Sequence, residues 1–350
     1  ANLYGASRLN SKGQDLTDID QMTQMRDAMD SWLAGVHAIE HKADAEAVRN
    51  PANTDEIIGY HQHATAEQMQ AAVTAAEQAF QSWSGRPVTE RAVLLNKLAD
   101  ELEANRDELL ALCIKEAGKT LGDSMAEVRE AVDFCRYYAD QANQNLQHSQ
   151  ARGVVLCISP WNFPLAIFLG QVAAALVAGN TVVAKPAEQT SLIAVRTVEL
   201  MAAAGFPADV VRLIIAPGRQ VGEQVVPDTR IKAVMFTGST ETGAWIARKL
   251  AERGGEPVPL IAETGGQNCM IVDSTALPEQ VVDDVISSGF QSAGQRCSAL
   301  RVLFLQEDIA DGMLEMIEGA ARELNLGNPL EITTDIGPVI DPDSRRRSEE

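Results

Sequence analysis

The chain has 350 residues, of which 45% are hydrophobic and 22% charged, as in folded proteins of two or three domains; disordered and collagen-like classes are excluded. Its formal net charge of −20 repels phosphate backbones and anionic lipids, so we expect neither nucleic-acid binding nor membrane contact. The five scattered cysteines form no C-x-x-C pair and predict no disulfide framework and no metal site. The lack of a long apolar run or a signal-peptide pattern predicts a protein of the cytoplasm or another reducing compartment.

The first part of the chain is predicted to be helical. A polar start with one helix around residues 22–39 precedes two long amphipathic segments, for which Thr65 and Thr89 are the expected N-caps. Gly118 offers an end to the second segment, and a third helix follows through AEVREAVDFCRYYADQA. None of these helices contains a pattern typical of a reaction.

After about residue 151, β-branched runs alternate with helical segments, which predicts an α/β fold with a doubly wound parallel sheet. Near-continuous apolar runs indicate strands that are buried on both faces. The predicted strands are VVLCIS, TVVAKP, VVRLII, IKAVMF, PLIAET, NCMIVD and LRVLFL. The predicted helices cover 166–178, 191–204, 241–253, 278–293 and 308–324.

Ligands of open parallel sheets bind beyond the carboxyl ends of the strands, so the loops there are the candidate sites. In SPWNFP, two prolines fix the backbone around Asn162, whose amide can donate to an oxyanion. A rigid turn around a buried Trp161 explains the hexapeptide by itself at least as well. In AKPAEQT, Glu188 can accept the hydroxyls of a nucleotide ribose beside Lys185, or the two residues form an exposed ion pair.

Two further loops complete the set of candidates. FTGSTETG joins a strand to a helix, and Ser239 with the helix amides can seat a phosphate, although a mere helix start is an equal alternative. Glu263 ends a strand before a glycine pair, and Cys297 follows a helix that is expected to end near Gly294. Alone, a glutamate is usually a solvated charge and a cysteine a small buried apolar group.

Together these residue types fit one reaction. A thiolate attacks an aldehyde, a nicotinamide takes the hydride to leave a thioester, and a carboxylate activates the water that releases the acid.

The ordered series SPWNFP, AKPAEQT, FTGSTETG, ETGG and GQRCSA resembles the landmarks of the aldehyde dehydrogenase family from about residue 50 onward. The resemblance implies that Cys297 is the nucleophile, that Glu263 is the general base, and that Asn162 forms the oxyanion hole with the Cys297 amide. It also implies an NAD site whose contacts are Trp161, Lys185, Glu188, Thr237, Gly238 and Ser239. A carboxylate at the ribose favours NAD over NADP.

Longer matching segments point to a narrower family within this resemblance. NSKGQDL, GVVLCISPWNFPLAIFLGQ, IAETGGQN, IVDSTALPEQVV and SAGQRCSALRVL are similar to the aldehyde dehydrogenase domain of bacterial proline utilization A. This implies oxidation of L-glutamate γ-semialdehyde to glutamate, the second step of proline catabolism, with Phe163 beside the aliphatic part of the substrate and Ser298 beside the thioester. It also implies a covalently linked proline dehydrogenase domain in the full-length protein, whose FAD is not assigned to this chain.

The resemblance divides the chain into an arm or linker at 1–50, an NAD-binding domain with N-terminal helices at 51–260, and an incomplete catalytic domain at 261–350. Residues 141–152 are either part of an oligomerisation flap or a plain surface loop, and a homo-oligomer is left open. Because family members are longer, we expect little turnover from this fragment alone. Two alternatives stay open: a dehydrogenase for another aldehyde, such as a succinate or aliphatic semialdehyde, and a non-catalytic scaffold with the same fold.

Overall fold

A computed structural model describes Leu3, Gly5 and residues 8–35 and 44–349. The helices of this part are α1 (Ile19–Gly35), α2 (Ala66–Ser84), α3 (Val88–Ala104), α4 (Arg106–Ala117), α5 (Leu121–Asn145), α6 (Ala166–Val177), α7 (Ser191–Ala203), α8 (Gly218–Gln224), α9 (Thr240–Glu252), α10 (Pro278–Phe290), α11 (Glu307–Arg322) and α12 (Pro342–Glu349). The strands are β1 (Glu46–Asn50), β2 (Asn53–His61), β3 (Val154–Ile158), β4 (Thr181–Lys185), β5 (Val211–Leu213), β6 (Ile231–Gly238), β7 (Leu260–Thr264), β8 (Cys269–Val272) and β9 (Val302–Leu305).

The centre of the fold is a parallel sheet of five strands in the order β5-β4-β3-β6-β7. The chain leaves β3 in one direction and returns to β6 on its other side, which confirms the doubly wound α/β class. Alternate residues of β3 enter different apolar clusters: Val155 and Cys157 face α3, α5 and α6, whereas Val154 and Leu156 face α2 and α9. The strands β3 and β4 are therefore buried on both faces, as their apolar runs predicted, whereas the edge strand β7 is largely exposed.

A second, smaller parallel pair is formed by β8 and β9. Its core contains Val272, Val281, Val285 and Met313, which join the pair to α10 and α11. All seven predicted strands are thus present. Among the described residues, no helix combines the length and apolarity that crossing a membrane requires.

Two predictions about the helices need correction, and two hold. Thr65 caps α2 with a reciprocal capping box to Gln68, as predicted. Thr89 is not an N-cap, because α3 begins at Val88 after Pro87, whose fixed φ suits a helix start. The long helix predicted after it is two helices, α3 and α4, that meet at Asn105. Gly118 ends α4 in the left-handed conformation with φ 67°, as predicted.

Part of the N-terminal region packs against the main apolar core. Met22, Met25 and Met29 of α1 are buried in the main apolar cluster, and residues 36–43, where the predicted helix was expected to end, lie outside the described residues. The antiparallel pair of β1 and β2 was not predicted, and it crosses the predicted domain boundary after residue 50. The predicted boundary after residue 260 falls at the start of β7, which pairs with β6. The domain boundaries at these two positions stay predictions.

A buried glutamate holds the start of α7. The two carboxyl oxygens of Glu116 accept hydrogen bonds from the backbone N–H groups of Leu192 and Ile193, at 2.6 and 3.0 Å. These N–H groups have no partner within the helix, so Glu116 supplies one from α4. Burial raises the pKa of Glu116 to about 8, although the two backbone hydrogen bonds act to lower it.

This raised pKa predicts a pH-dependent stability. The folded Glu116 carboxyl keeps its proton up to pH about 8 and an unfolded glutamate only to about 4.5, so the folded state binds more protons in this window. The contribution of Glu116 is therefore fully present below pH about 4.5 and decreases as the pH rises to about 8, by at most about 1.4 kcal/mol per unit. In Glu116→Gln one of the two acceptor oxygens is replaced by an NH₂ group, which should lower the free energy of unfolding in acid by about 1–3 kcal/mol. Because glutamine does not titrate, the decrease in stability with rising pH should also disappear.

Denaturant unfolding across this pH window measures the effect. The free energy of unfolding of the wild type should fall below that of Glu116→Gln before pH about 8, because a decrease of about 1.4 kcal/mol per unit from pH about 4.5 exceeds the initial advantage of about 1–3 kcal/mol. Glu90→Gln, at an exposed position of α3, is the matched control and should follow the wild-type profile. Parallel profiles for the wild type and Glu116→Gln would contradict the prediction.

Candidate active site

The candidate loops leave the same edge of the central sheet. At the end of β3, Ile158 pairs with Lys185 of β4 and with Phe236 of β6. One residue further along β6, Thr237 pairs with Glu263 of β7. SPWNFP, AKPAEQT, FTGSTETG and ETGG therefore all begin at the carboxyl ends of adjacent parallel strands, where ligands bind in this class of sheet.

Cys297 lies in a turn after an irregular end of α10. The helix ends at Phe290 rather than near residue 293, and a short 3-10 helix over Gln291–Gly294 follows. Ser292 and Ala293 have φ values of 53° and 54°, a conformation that side chains make costly. Cys297 itself is exposed.

Asn162 connects SPWNFP to the turn that contains Cys297. Its Nδ2 donates to the backbone oxygen of Gln295 at 2.8 Å. The Gln295 side chain in turn donates to the Ser292 oxygen at 3.0 Å and accepts from the Ile340 N–H at 3.0 Å. An amide NH₂ has two hydrogens, so this bond leaves Asn162 a second hydrogen to donate to a ligand.

Asn268 was not a candidate residue in the sequence, yet it contacts the turn that contains Cys297. Its Nδ2 donates to the backbone oxygens of Cys297 at 2.7 Å and Ala299 at 3.0 Å. Asn268 follows the glycine pair after Glu263, so it joins the loop of the candidate base to the loop of the candidate nucleophile. Its place in ETGGQN, directly before β8, was the only signal in the sequence. Glu263 itself is exposed at the end of β7.

An ion pair fixes the residue next to the thiol. Arg296 Nη2 lies 2.5 Å from Asp123 Oδ1, and the Asp123 side chain, in the first turn of α5, is buried. Arg296 Nε also donates to the Ser292 hydroxyl at 3.2 Å. The pair was missed because 173 residues separate its members.

A second buried glutamate supports SPWNFP. Glu127 Oε2 accepts from the N–H groups of Leu165 and Ala166, at 3.3 and 2.9 Å, where α6 begins. Burial raises the pKa of Glu127, and the Lys119 ammonium, 3.2 Å from Oε1, acts to lower it. Lys119 also lies 4.7 Å from the centre of the Phe163 ring, a cation–π distance.

The pair predicted for a nucleotide ribose is formed. Lys185 Nζ lies 2.8 Å from Glu188 Oε2, and Glu188 Oε1 accepts from the Gly218 N–H at the start of α8 at 3.1 Å. Lys185 is only 4% exposed, so the alternative of an exposed ion pair is wrong for the lysine. Each carboxylate oxygen has a further lone pair, so Glu188 can still accept ribose hydroxyls.

The remaining predicted residues lie close to these loops. Ser239 is the N-cap of α9: its hydroxyl accepts from the Thr242 N–H at 3.2 Å and donates to the Thr242 hydroxyl at 2.9 Å, as the helix-start alternative predicted. Thr237 accepts from the Gln171 side chain at 2.9 Å. Next to it, a Cβ on Gly238 would lie 2.6 Å from the Phe236 ring, so the position requires glycine.

Trp161 and Ser298 complete the predicted set. Trp161 is half-buried and lines a small cleft with Asn162, Gly118 and Gln295. Ser298 is exposed directly after Cys297.

Comparison with known proteins agrees with this arrangement. A family model described as "Aldehyde dehydrogenase family" matches residues 39–350. The chain is 48% identical over 360 residues to the bifunctional protein PutA of Salmonella typhimurium. The aligned region covers 99% of this chain and 27% of PutA. A structure of a mutant of Bradyrhizobium japonicum proline utilization A has a TM-score of 0.88 and 44% identity over 99% of this chain and 34% of its own. A structure of a 1-pyrroline-5-carboxylate dehydrogenase from Thermus with bound NAD has a TM-score of 0.91 and 30% identity. The match covers 97% of this chain and 70% of the Thermus chain.

The Asp123–Arg296 pair predicts a local effect on the turn around Cys297. Asp123→Asn removes a charge-assisted hydrogen bond at a buried position, so the backbone bonds of the turn should open more often. We expect the amides of Gln295 and Ala299, which bond within the turn, to exchange with deuterium at least about tenfold faster. Hydrogen exchange followed by mass spectrometry measures this.

The control is Asp107→Asn, which removes a carboxylate paired with Arg106 at a more exposed position on α4. It should leave the exchange of residues 291–299 unchanged. Equal exchange in the wild type and Asp123→Asn would show that the pair does not hold the turn.

Proposed function

Because the chain belongs to the aldehyde dehydrogenase family, as its ordered motifs predicted, we propose that it oxidises L-glutamate γ-semialdehyde to L-glutamate with NAD. The observation that supports this most directly is the hydrogen bond from Asn162 to Gln295, two residues before the exposed Cys297 thiol. A second bond, from Asn268 to the Cys297 backbone oxygen, connects the loop after Glu263 to the same turn, which supports a shared role for these three loops. The names of the similar proteins, PutA and 1-pyrroline-5-carboxylate dehydrogenase, support the substrate.

In the first step, the Cys297 thiolate attacks the aldehyde carbon. A carbon–sulfur bond forms and the carbonyl oxygen becomes an oxyanion. The second hydrogen of the Asn162 amide and the backbone N–H of Cys297 stabilise this charge. Donors that are already fixed contribute most to such stabilisation, and the bond to Gln295 fixes Asn162.

The oxyanion then collapses, the carbon loses a hydride, and a thioester remains on Cys297. NAD, when bound, supplies the hydride acceptor. Lys185 and Glu188 bind its adenosine ribose and Ser239 its pyrophosphate, with Trp161, Thr237 and Gly238 as further contacts. The donor set fits: Glu188 has unused lone pairs for two hydroxyls, and its charge repels the 2′-phosphate of NADP.

In the last step, Glu263 takes a proton from a water molecule, which attacks the thioester carbon. The carbon–sulfur bond breaks, the acid leaves and the Cys297 thiolate is restored. Phe163 packs against the aliphatic part of the substrate and Ser298 lies beside the thioester. The Lys119 ammonium, paired with Glu127, contacts the Phe163 ring and restricts its position.

The chain spans 27% of the PutA relative from Salmonella typhimurium, which is named a bifunctional protein. We therefore propose that a proline dehydrogenase domain is covalently linked to this region in the full-length protein. The cytoplasmic location, the flap at 141–152 and a homo-oligomer stay predictions.

Replacement of the proposed nucleophile tests the function. Cys297→Ala should reduce NADH formation from glutamate semialdehyde by at least about a thousandfold, because no other group forms the thioester. NAD binding should stay within about twofold of wild type, since the ribose contacts are on other loops. Cys269→Ala removes the other thiol known to be exposed and is the matched control.

The assay uses the 350-residue chain and the longest open reading frame that contains it, each with NAD or NADP. Succinate semialdehyde and an aliphatic aldehyde are the comparison substrates. A wild-type rate in Cys297→Ala would exclude the nucleophile, and a preference for another aldehyde would exclude the substrate. Silence from both folded proteins would favour a non-catalytic scaffold.

A further inference from the structure

Two histidines and a glutamate meet at the end of the β1–β2 hairpin, outside the residues assigned to the reaction. Glu46 pairs with His61 across the hairpin, and His63 follows two positions after His61. His61 is buried, His63 is half-buried and Glu46 is exposed. One ligand atom from each side chain lies within 4.8 Å of the other two.

Two of the three distances in this cluster match the ligand spacing around a tetrahedral metal ion, and the third is within 4.8 Å. His61 Nε2 lies 3.2 Å from His63 Nε2, and His63 Nε2 lies 3.4 Å from Glu46 Oε2. Zinc bonds of about 2.0–2.2 Å to nitrogen and oxygen put two tetrahedral ligand atoms roughly 3.3–3.5 Å apart. Two imidazoles and one carboxylate are also a ligand set that zinc binds.

Hydrogen bonding within the cluster accounts for only part of this arrangement. His63 Nε2 has at most one hydrogen, yet it faces both His61 Nε2 and Glu46 Oε2. That hydrogen can be given to one of these two acceptors. A single cation between the three atoms satisfies all of them at once.

The buried histidine is oriented as a ligand requires. His61 Nδ1 lies 2.8 Å from the hydroxyl of Ser191, which is fully buried at the start of α7. When Nδ1 donates its hydrogen to this hydroxyl, the lone pair of Nε2 is directed at the cluster. A hydrogen bond of this kind on the second ring nitrogen accompanies almost every metal-bound histidine.

The cluster opens into a cavity of about 600 Å³ that is lined by Glu46 and His61. Glu116 and Glu188 line the same cavity, as do Arg49 and Arg345. A water molecule has room there beside the three protein ligands. An open fourth position of this kind is typical of zinc sites with three protein ligands.

We propose that Glu46, His61 and His63 bind one divalent transition-metal ion, with zinc as the physiological candidate, and that a water molecule completes the tetrahedron. The ion joins β1 to β2 and, through Ser191, the hairpin to α7. An ion bound there stabilises the folded chain, because a ligand that binds only the folded state stabilises that state. The proposal is independent of the proposed dehydrogenase activity.

Zinc binding to the untagged, chelator-stripped 350-residue chain tests the site, with a chromophoric chelator as the competitor. We expect one tight equivalent in the wild type. His63→Gln and Glu46→Gln should each weaken binding by at least about tenfold, and Ser191→Ala by about tenfold or more. Because Glu46 is exposed and His63 half-buried, their substitution should leave the fold intact, which circular dichroism checks.

Exposed thiols also bind zinc, so the titration is repeated in a Cys269→Ser/Cys297→Ser background, where the tight equivalent should persist. His148→Gln is the matched histidine control and should bind zinc as the wild type does. Zinc should raise the melting temperature of the wild type and not that of His63→Gln. The proposal is overturned if the wild type lacks the tight equivalent, if the thiol-free protein loses it, or if both His63→Gln and Glu46→Gln retain it.

Discussion

Two buried glutamates hold the beginnings of the helices that follow the candidate loops, and the site depends on this constraint. Glu127 binds the first amides of α6, directly after SPWNFP, and Glu116 binds those of α7, directly after AKPAEQT. The first amides of a helix lack partners within it, and a loop that ends at such amides is free to move unless another group holds them. The carboxyl groups fix both helix starts from α4 and α5, so the loops inherit their positions from those helices.

The same short segment, residues 116–127, also contacts the residue next to Cys297. Asp123 pairs with Arg296, next to Cys297, and so holds a turn that contains two strained residues. Gly118 allows the segment to pack closely, because a Cβ there would lie 2.9 Å from Pro51 and from Pro338. Strained conformations persist when the surroundings over-determine them, and the contacts of this segment do that for the turn.

The sequence predicts the elements of this fold better than the contacts between them. The strands and the motif loops are local patterns of apolar and turn residues, so they could be read directly. The break between α3 and α4 at Asn105 was missed because both sides have the same helical period. The hairpin was missed because β1 is short and mostly polar and the first part of β2 is polar and exposed.

Within the site, the residue types were predictable and their supports were not. Asn162, Glu263 and Cys297 follow strands or a helix in recognisable motifs. Their partners are far away in the sequence: 38 residues separate Leu165 from Glu127, and 173 separate Asp123 from Arg296. A helix that reads as purely structural, such as α5, therefore contains side chains on which the geometry of the site depends.

The proposed metal site connects to this arrangement through one residue. The Ser191 hydroxyl forms a hydrogen bond with the His61 ring. The next backbone N–H along the chain, that of Leu192, donates to Glu116. Glu188, the proposed ribose ligand, is three positions before Ser191 and lines the same cavity as His61. Since packed elements transmit small displacements rather than absorb them, an ion that stiffens the hairpin also stiffens the start of α7. The cavity lined by His61 and Glu188 then connects two proposed sites, and Glu116 holds the helix start next to both.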